Sequence, residues 1–146
     1  MTWLVDRGAI QWTLKRVCTA SFKRKKTWQA ASTLFFLDCH PEARRYFNGV
    51  DISRQAELLR LALIMVERHH THRYPATESY LNYLGTKHRV RGIPADLFAP
   101  FRDALLATLE QFHGKDWDTA LAGQWREAID LAAASMARGY REAFHV

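Results

Sequence analysis

An all-α fold of roughly six to eight helices around one core follows from three features of the 146-residue sequence. Breakers are scarce, with only 7 glycines and 4 prolines, so the segments between them are long. Within those segments apolar residues recur at steps of three and four, the spacing of a helix face, rather than alternating as in a strand. The composition, 48% hydrophobic and 25% charged, supports a packed core and excludes disordered or low-complexity classes.

The elements are read in order. An opening helix lies within Ile10 to Phe22. Thr27 to Leu37 forms a second, stopped before Pro41, and Glu42 to Phe47 a short third. After Asp51, residues Ile52, Ala56, Leu59, Leu63 and Val66 make one apolar stripe, and Leu58, Ala62 and Met65 an adjoining one. That width predicts a helix buried on more than one side. Asp51 or Ser53 can cap it by accepting hydrogen bonds from the first free backbone amides. Pro75 to Lys87 forms another helix, with Tyr80, Tyr83 and Leu84 apolar. Beyond Gly92-Ile93-Pro94, residues Phe98, Phe101, Leu105, Leu109 and Phe112 share a face, and Gly114 ends the run. Pro94 or Pro100 suits the first turn, where a missing N–H costs nothing. The last helix, Asp118 to Arg141, carries Leu121, Trp125, Ile129, Ala132 and Met136 on one stripe. No repeat at a fixed period is present. A single domain over residues 1–146 is expected, with 1–26 as an N-terminal extension and first helix.

No apolar run reaches the roughly 20 residues of a membrane span. The start, Met1-Thr2-Trp3-Leu4-Val5-Asp6, does not read as a signal peptide. Cys18 and Cys39 are too few for a disulfide framework and read as reduced thiols, so a cytoplasmic location is expected. The net charge of +6 raises the question of nucleic-acid binding, but the charges are dispersed. Their densest cluster, Lys23-Arg24-Lys25-Lys26, reads as a solvated face or a partner contact. The run His69-His70-x-His72 stands before Pro75, where an exposed basic loop is expected, with no carboxylate or thiol partner near. Any of these three could serve as a metal ligand, without further warrant.

His88, in Leu84-Gly85-Thr86-Lys87-His88-x-x-x-Gly92-Ile93, is the candidate metal ligand, because neutral imidazole is a common ligand for transition metals and for haem iron. The segment resembles the proximal motif of globins, whose histidine ligates iron. Pro41-Glu42-Ala43-Arg44-Arg45-Tyr46-Phe47 looks like the globin corner, where a proline stands six residues before the phenylalanine that stacks on haem. Asp51-Ile52-Ser53-Arg54-Gln55, then Leu59, is similar to the distal helix of bacterial single-domain globins and flavohaemoglobins, whose glutamine faces bound gas. Leu105-Leu106-x-Thr108-Leu109, His113-Gly114-Lys115-Asp116-Trp117 and Gln124-Trp125-Arg126-Glu127-Ala128 resemble the last two helices of that branch. Gln55 and His88 are 33 residues apart, enough for a long helix, a loop and the proximal helix. The resemblance covers about Thr27 to Arg138.

The resemblance implies a globin-like domain holding haem b (iron protoporphyrin IX) through His88. Phe47 would clamp the ring, while Gln55, Leu59, Leu84, Ile93, Phe98 and Phe101 would line the pocket. For the aliphatic ones, ordinary core packing is the competing role. Lys87 and Arg91 flank the histidine on what reads as a solvated face. The ligand side would hold Gln55, Leu59 and Thr33. Thr33 stands eight residues before Pro41, where the bacterial branch often has a tyrosine, with Phe35 and Phe36 nearby. An amide hydrogen bond from Gln55 to bound oxygen is worth roughly 1.5–3 kcal/mol, or about one to two decades in off-rate. Without a phenol at Thr33, oxygen is held less tightly than by a tyrosine–glutamine pair.

Reversible binding of O₂, with CO and NO as further ligands, is the expected activity, in oxygen transport or gas sensing. An alternative is a nitric-oxide dioxygenase working with an external reductase. Flavohaemoglobins carry a tyrosine ten residues after the proximal histidine; Phe98 stands there, so the electron push should be weaker. The sequence also holds no stretch for a flavin reductase domain. A sensor module of a larger protein, or a homodimer, remains the other reading; a longer natural gene favours the sensor.

Overall fold

The computed structural model describes residues 28–142. The opening helix placed in Ile10 to Phe22, Cys18 and the basic cluster Lys23 to Lys26 lie outside that range. Five α-helices follow in order: α1 (Trp28–Cys39), α2 (Ile52–His72), α3 (Pro75–Val90), α4 (Phe98–His113) and α5 (Thr119–Glu142). Three 3-10 segments, Pro41–Phe47, Ala95–Leu97 and Gly114–Asp116, join them. No strand occurs among the described residues.

Each boundary has a local cause. Pro41 disfavours helical backbone at His40, which leaves the helical region at φ −131°, ψ 71°, so α1 stops there and Pro41 opens the corner as a 3-10 segment. The sequence suggested an ordinary short helix from Glu42; seven residues do not by themselves decide between the two hydrogen-bond patterns. Asp51, rather than Ser53, caps α2, its carboxylate accepting from the amides of Ser53 at 2.9 Å and Arg54 at 3.4 Å. Arg73 ends that helix in the left-handed region, φ 56°, its amide donating to the His69 carbonyl. Gly92, at φ +74°, turns the chain after α3 and lets the Ile93 amide donate to the His88 carbonyl at 3.1 Å. Gly114 ends α4 at φ +54°, as expected from the sequence. Pro100 lies in the first turn of α4, whereas Pro94 precedes the 3-10 segment before it. Asp118 caps α5, accepting from the Leu121 amide at 2.7 Å.

The main core joins Leu63 and Val66 of α2, Leu81 of α3, Leu105 and Leu109 of α4, and Leu121, Trp125, Ala128 and Ala132 of α5. A second cluster joins Phe36 and Leu37 of α1, Ala43 of the corner and Ala104 of α4. Helix α3 packs along α5, α1 against α4 and α2, and α2 against α5. Two expectations need correction. Leu58, in the adjoining stripe of α2, is 51% exposed, whereas Ala62 and Met65 of that stripe are half-buried, so among the described residues the second stripe is covered only in part. On α3 Tyr83 faces outward beneath the Lys87 ammonium, and Leu81, from the neighbouring stripe, fills the core instead.

Candidate functional site

His88 lies in the last turn of α3, and its surroundings are built from four elements. Its Nδ1–H donates to the Leu84 carbonyl one turn earlier, at 2.7 Å. That bond fixes the tautomer and leaves Nε2 as the nitrogen with a free lone pair. Burial pushes the imidazole below its ordinary pKa; the Leu84 hydrogen bond opposes this, and the charge of Arg91 reinforces it. The ring is therefore neutral at physiological pH, the form a metal ion takes.

Phe98, at the start of α4, meets the His88 ring edge-on, with centroids 6.1 Å apart and planes at 85°. Tyr140 of α5 packs edge-on against Phe98 in turn, at 5.6 Å. The Tyr140 hydroxyl donates to the Ile93 carbonyl at 2.6 Å. Burial raises the phenol to a pKa of about 12, so it remains a donor. Leu84, His88, Ile93 and Phe98 are thus brought together. Tyr140 was missed, although it continues the α5 stripe four residues after Met136.

The other candidates form a second group. Phe47 and Phe101 pack on the Phe36–Ala104 cluster, with Phe36 and Phe101 edge-on at 5.2 Å. Thr33 is buried in α1, and Gln55 precedes Leu59 by one turn on α2. Phe47, Gln55, Leu59, Leu84, His88, Ile93, Phe98 and Phe101 are all half-buried. No hydrogen bond or ring contact joins Phe47, Gln55 or Leu59 to His88 among the described residues. Two surface depressions lie elsewhere, one on the outer face of α5 near Glu127 and Asp130, the other at Cys39, Pro100 and Asp103. A haem fits the donor set on the first group: one neutral imidazole, a free Nε2 and apolar neighbours.

The histidine run is helical rather than a loop, and of its three members only His72 is exposed. His69 and His70 are 4% and 8% exposed and lie in the last turns of α2. The His69 Nε2 is 3.3 Å from the Ser135 hydroxyl and 3.4 Å from Glu78, and its Nδ1 is 3.5 Å from the Thr77 hydroxyl. Ser135 donates to Glu78 at 2.7 Å, and Arg138 bonds the same carboxylate. His70 faces Glu127 at 3.7 Å. These carboxylates come from α3 and α5, out of sight of local sequence. Fourteen residue steps along α2 from Gln55 to His69 span about 21 Å, so the run is far from the Gln55 end.

Burial lowers the pKa of His69, helped by Arg73, Arg138 and His70 and opposed by Glu78. A lowered value means the unfolded chain binds this proton more readily than the native one. The associated stability is present above about pH 6.5, the unfolded histidine value, and is lost as pH falls below it. The thermal midpoint of the wild type should accordingly fall between pH 7.5 and 5.5 more steeply than that of His69→Gln. Parallel pH profiles would show that His69 carries none of the effect.

The globin family model matches residues 30–136. Globin CTT-VIIB-4 of Chironomus thummi thummi is 38% identical over 55 residues, 38% of this chain and 33% of that protein. The same-named globin of Chironomus thummi piger matches to the same extent. The chain thus spans about a third of the length of the curated relatives it matches. No described helix is long and apolar enough to cross a membrane. The match from α1 to α5, over an all-helical fold, establishes that this chain belongs to the globin family.

Proposed function

We propose that this chain binds haem b through His88 Nε2 and takes up O₂ reversibly, with CO and NO as competing ligands. The observation that carries the reading is the His88 Nδ1–H bond to the Leu84 carbonyl, which presents Nε2 as the free lone pair. Noncovalent haem b suits the sequence, since neither cysteine stands in the C-x-x-C-H attachment pattern. When bound, the haem supplies an iron with one open coordination position.

The residues around His88 favour reversible binding over oxygen chemistry. A histidine whose Nδ1–H meets a neutral backbone carbonyl is less basic than one bonded to a carboxylate, so it donates less charge to the metal. Phe98 has no hydroxyl to offer His88, and Tyr140 commits its own to Ile93. That arrangement weakens the case for a dioxygenase coupled to an external reductase. Gas transport or sensing, in the cytoplasm, is the role this chemistry suits.

Gln55 is the proposed donor to bound gas on the other wall. Stopped-flow measurement of oxygen release from the reduced protein tests both claims. Wild type should bind and release oxygen over repeated cycles. Gln55→Leu should release it roughly 10- to 100-fold faster, the kinetic equivalent of one lost hydrogen bond to a charged acceptor. Unchanged release from Gln55→Leu would remove Gln55 from the pocket, and prompt irreversible oxidation of wild type would favour the redox alternative.

A further inference from the structure

Helix α3 is not held to α5 by side chains alone. Where the two cross, each contributes a glycine to a contact between backbones. A Cβ on Gly85 would stand 2.0 Å from the Met136 carbonyl oxygen. A Cβ on Gly139 would stand 2.0 Å from the Asn82 carbonyl oxygen and 2.9 Å from the Thr86 amide nitrogen. Real atoms never approach so closely, and backbone cannot rotate away as a side-chain tip can. The Thr86 hydroxyl lies 3.2 Å from both the Gly139 and the Asn82 carbonyl oxygens, so a hydrogen-bond donor sits within the crossing. Farther toward the start of α3, Glu78 bonds Ser135 and Arg138 of α5, which fixes the register of the pair.

His88 is two residues beyond Thr86. Tyr140, one residue beyond Gly139, reaches the Ile93 carbonyl and the Phe98 ring that abuts His88. Consecutive residues of α5 therefore touch the chain on both sides of the histidine. We propose that the Gly85–Gly139 crossing sets the height and tilt of the His88 imidazole, with Gly139 as the positioning residue and Thr86 as its lock. The inference rests on the reading of His88 as the haem ligand. A methyl group at Gly139 pushes α3 off α5, carries His88 with it, and weakens its bond to the metal.

The test uses the haem-loaded full chain and reads the iron–histidine stretching band of the reduced protein, together with the rate of haem loss to an excess of apomyoglobin. Gly139→Ala should shift the band and speed haem loss by about tenfold or more, the scale at which outer-layer changes weaken metal sites. Thr86→Val adds no bulk at the crossing and removes the hydroxyl; it should shift the band in the same direction by less. Gly123→Ala, on the same helix with nothing within 4 Å of its new methyl, should leave the band at the wild-type position.

If Gly139→Ala does not fold, Thr86→Val decides. A wild-type band in every folded crossing variant overturns the proposal, as does an equal shift in Gly123→Ala. Proton NMR of the haem-free chain supplies a readout independent of loading: the His88 Nδ1–H resonance should move in Thr86→Val and stay in Gly123→Ala. His88→Gly separates the two layers of argument. If that variant keeps the wild-type band, the ligand reading itself is wrong; if it loses the band while Thr86→Val and Gly139→Ala keep it, only the positioning claim fails.

Discussion

Trp125→Ala is expected to lower the unfolding free energy by about 3 kcal/mol, near the bottom of the range for deleting a buried large aromatic side chain. Trp125 is fully buried in the core that joins α2, α3, α4 and α5, so its removal opens a cavity that no single helix can close. The loss is held toward the low end because the buried indole Nε1–H has no hydrogen-bond partner among the described residues. An unsatisfied donor costs roughly 1–3 kcal/mol, and alanine removes that cost along with the ring. Trp125→Phe should therefore recover most of the stability, keeping an aromatic ring and discarding the unpaired N–H. Urea titration with an unchanged m-value checks both variants. A loss below about 1 kcal/mol for alanine would mean that the site collapses freely and that Trp125 does not anchor the core.

Much of this architecture was legible in the sequence because its causes are local. The stripe Phe98 to Phe112 on α4, the carboxylate of Asp51 before α2 and the stop at Gly114 each depend on residues a few positions apart. The bond from His88 to Leu84 is as local, a single turn within one helix, but only the structure shows it. What escaped notice depends on pairs that only folding brings together. His69 and His70 pass for loop residues until Glu78 and Glu127 arrive from other helices. Tyr140 is one more aromatic on a stripe until its hydroxyl meets a carbonyl 47 residues earlier. Leu58 has the right spacing for a core position, but none of the described helices covers it. Gly85 and Gly139 read as weak points in helices, each tolerated at a cost of about 1 kcal/mol relative to alanine. Only the structure shows that each makes room for the other helix's backbone.

The second large effect is expected at His88. His88→Gly removes the only side chain in its group able to donate a lone pair to iron, since Leu84, Ile93, Phe98 and Tyr140 offer none suited to it at neutral pH. Haem affinity should fall by more than the 10- to 100-fold that loss of an outer-layer partner costs. The apolar walls should still admit the ring, so free imidazole entering the vacated space should restore binding in part. His88→Gln, which keeps bulk without an imidazole, should not be restored.

The most direct test of the account is the visible spectrum of the reduced protein before and after carbon monoxide, for wild type, His88→Gly and His88→Gly with imidazole. The account predicts an intense Soret band that shifts with carbon monoxide in wild type, a weak and altered band in the variant, and recovery on adding imidazole. A wild-type spectrum from His88→Gly without imidazole would contradict it and place the iron ligand elsewhere in the chain.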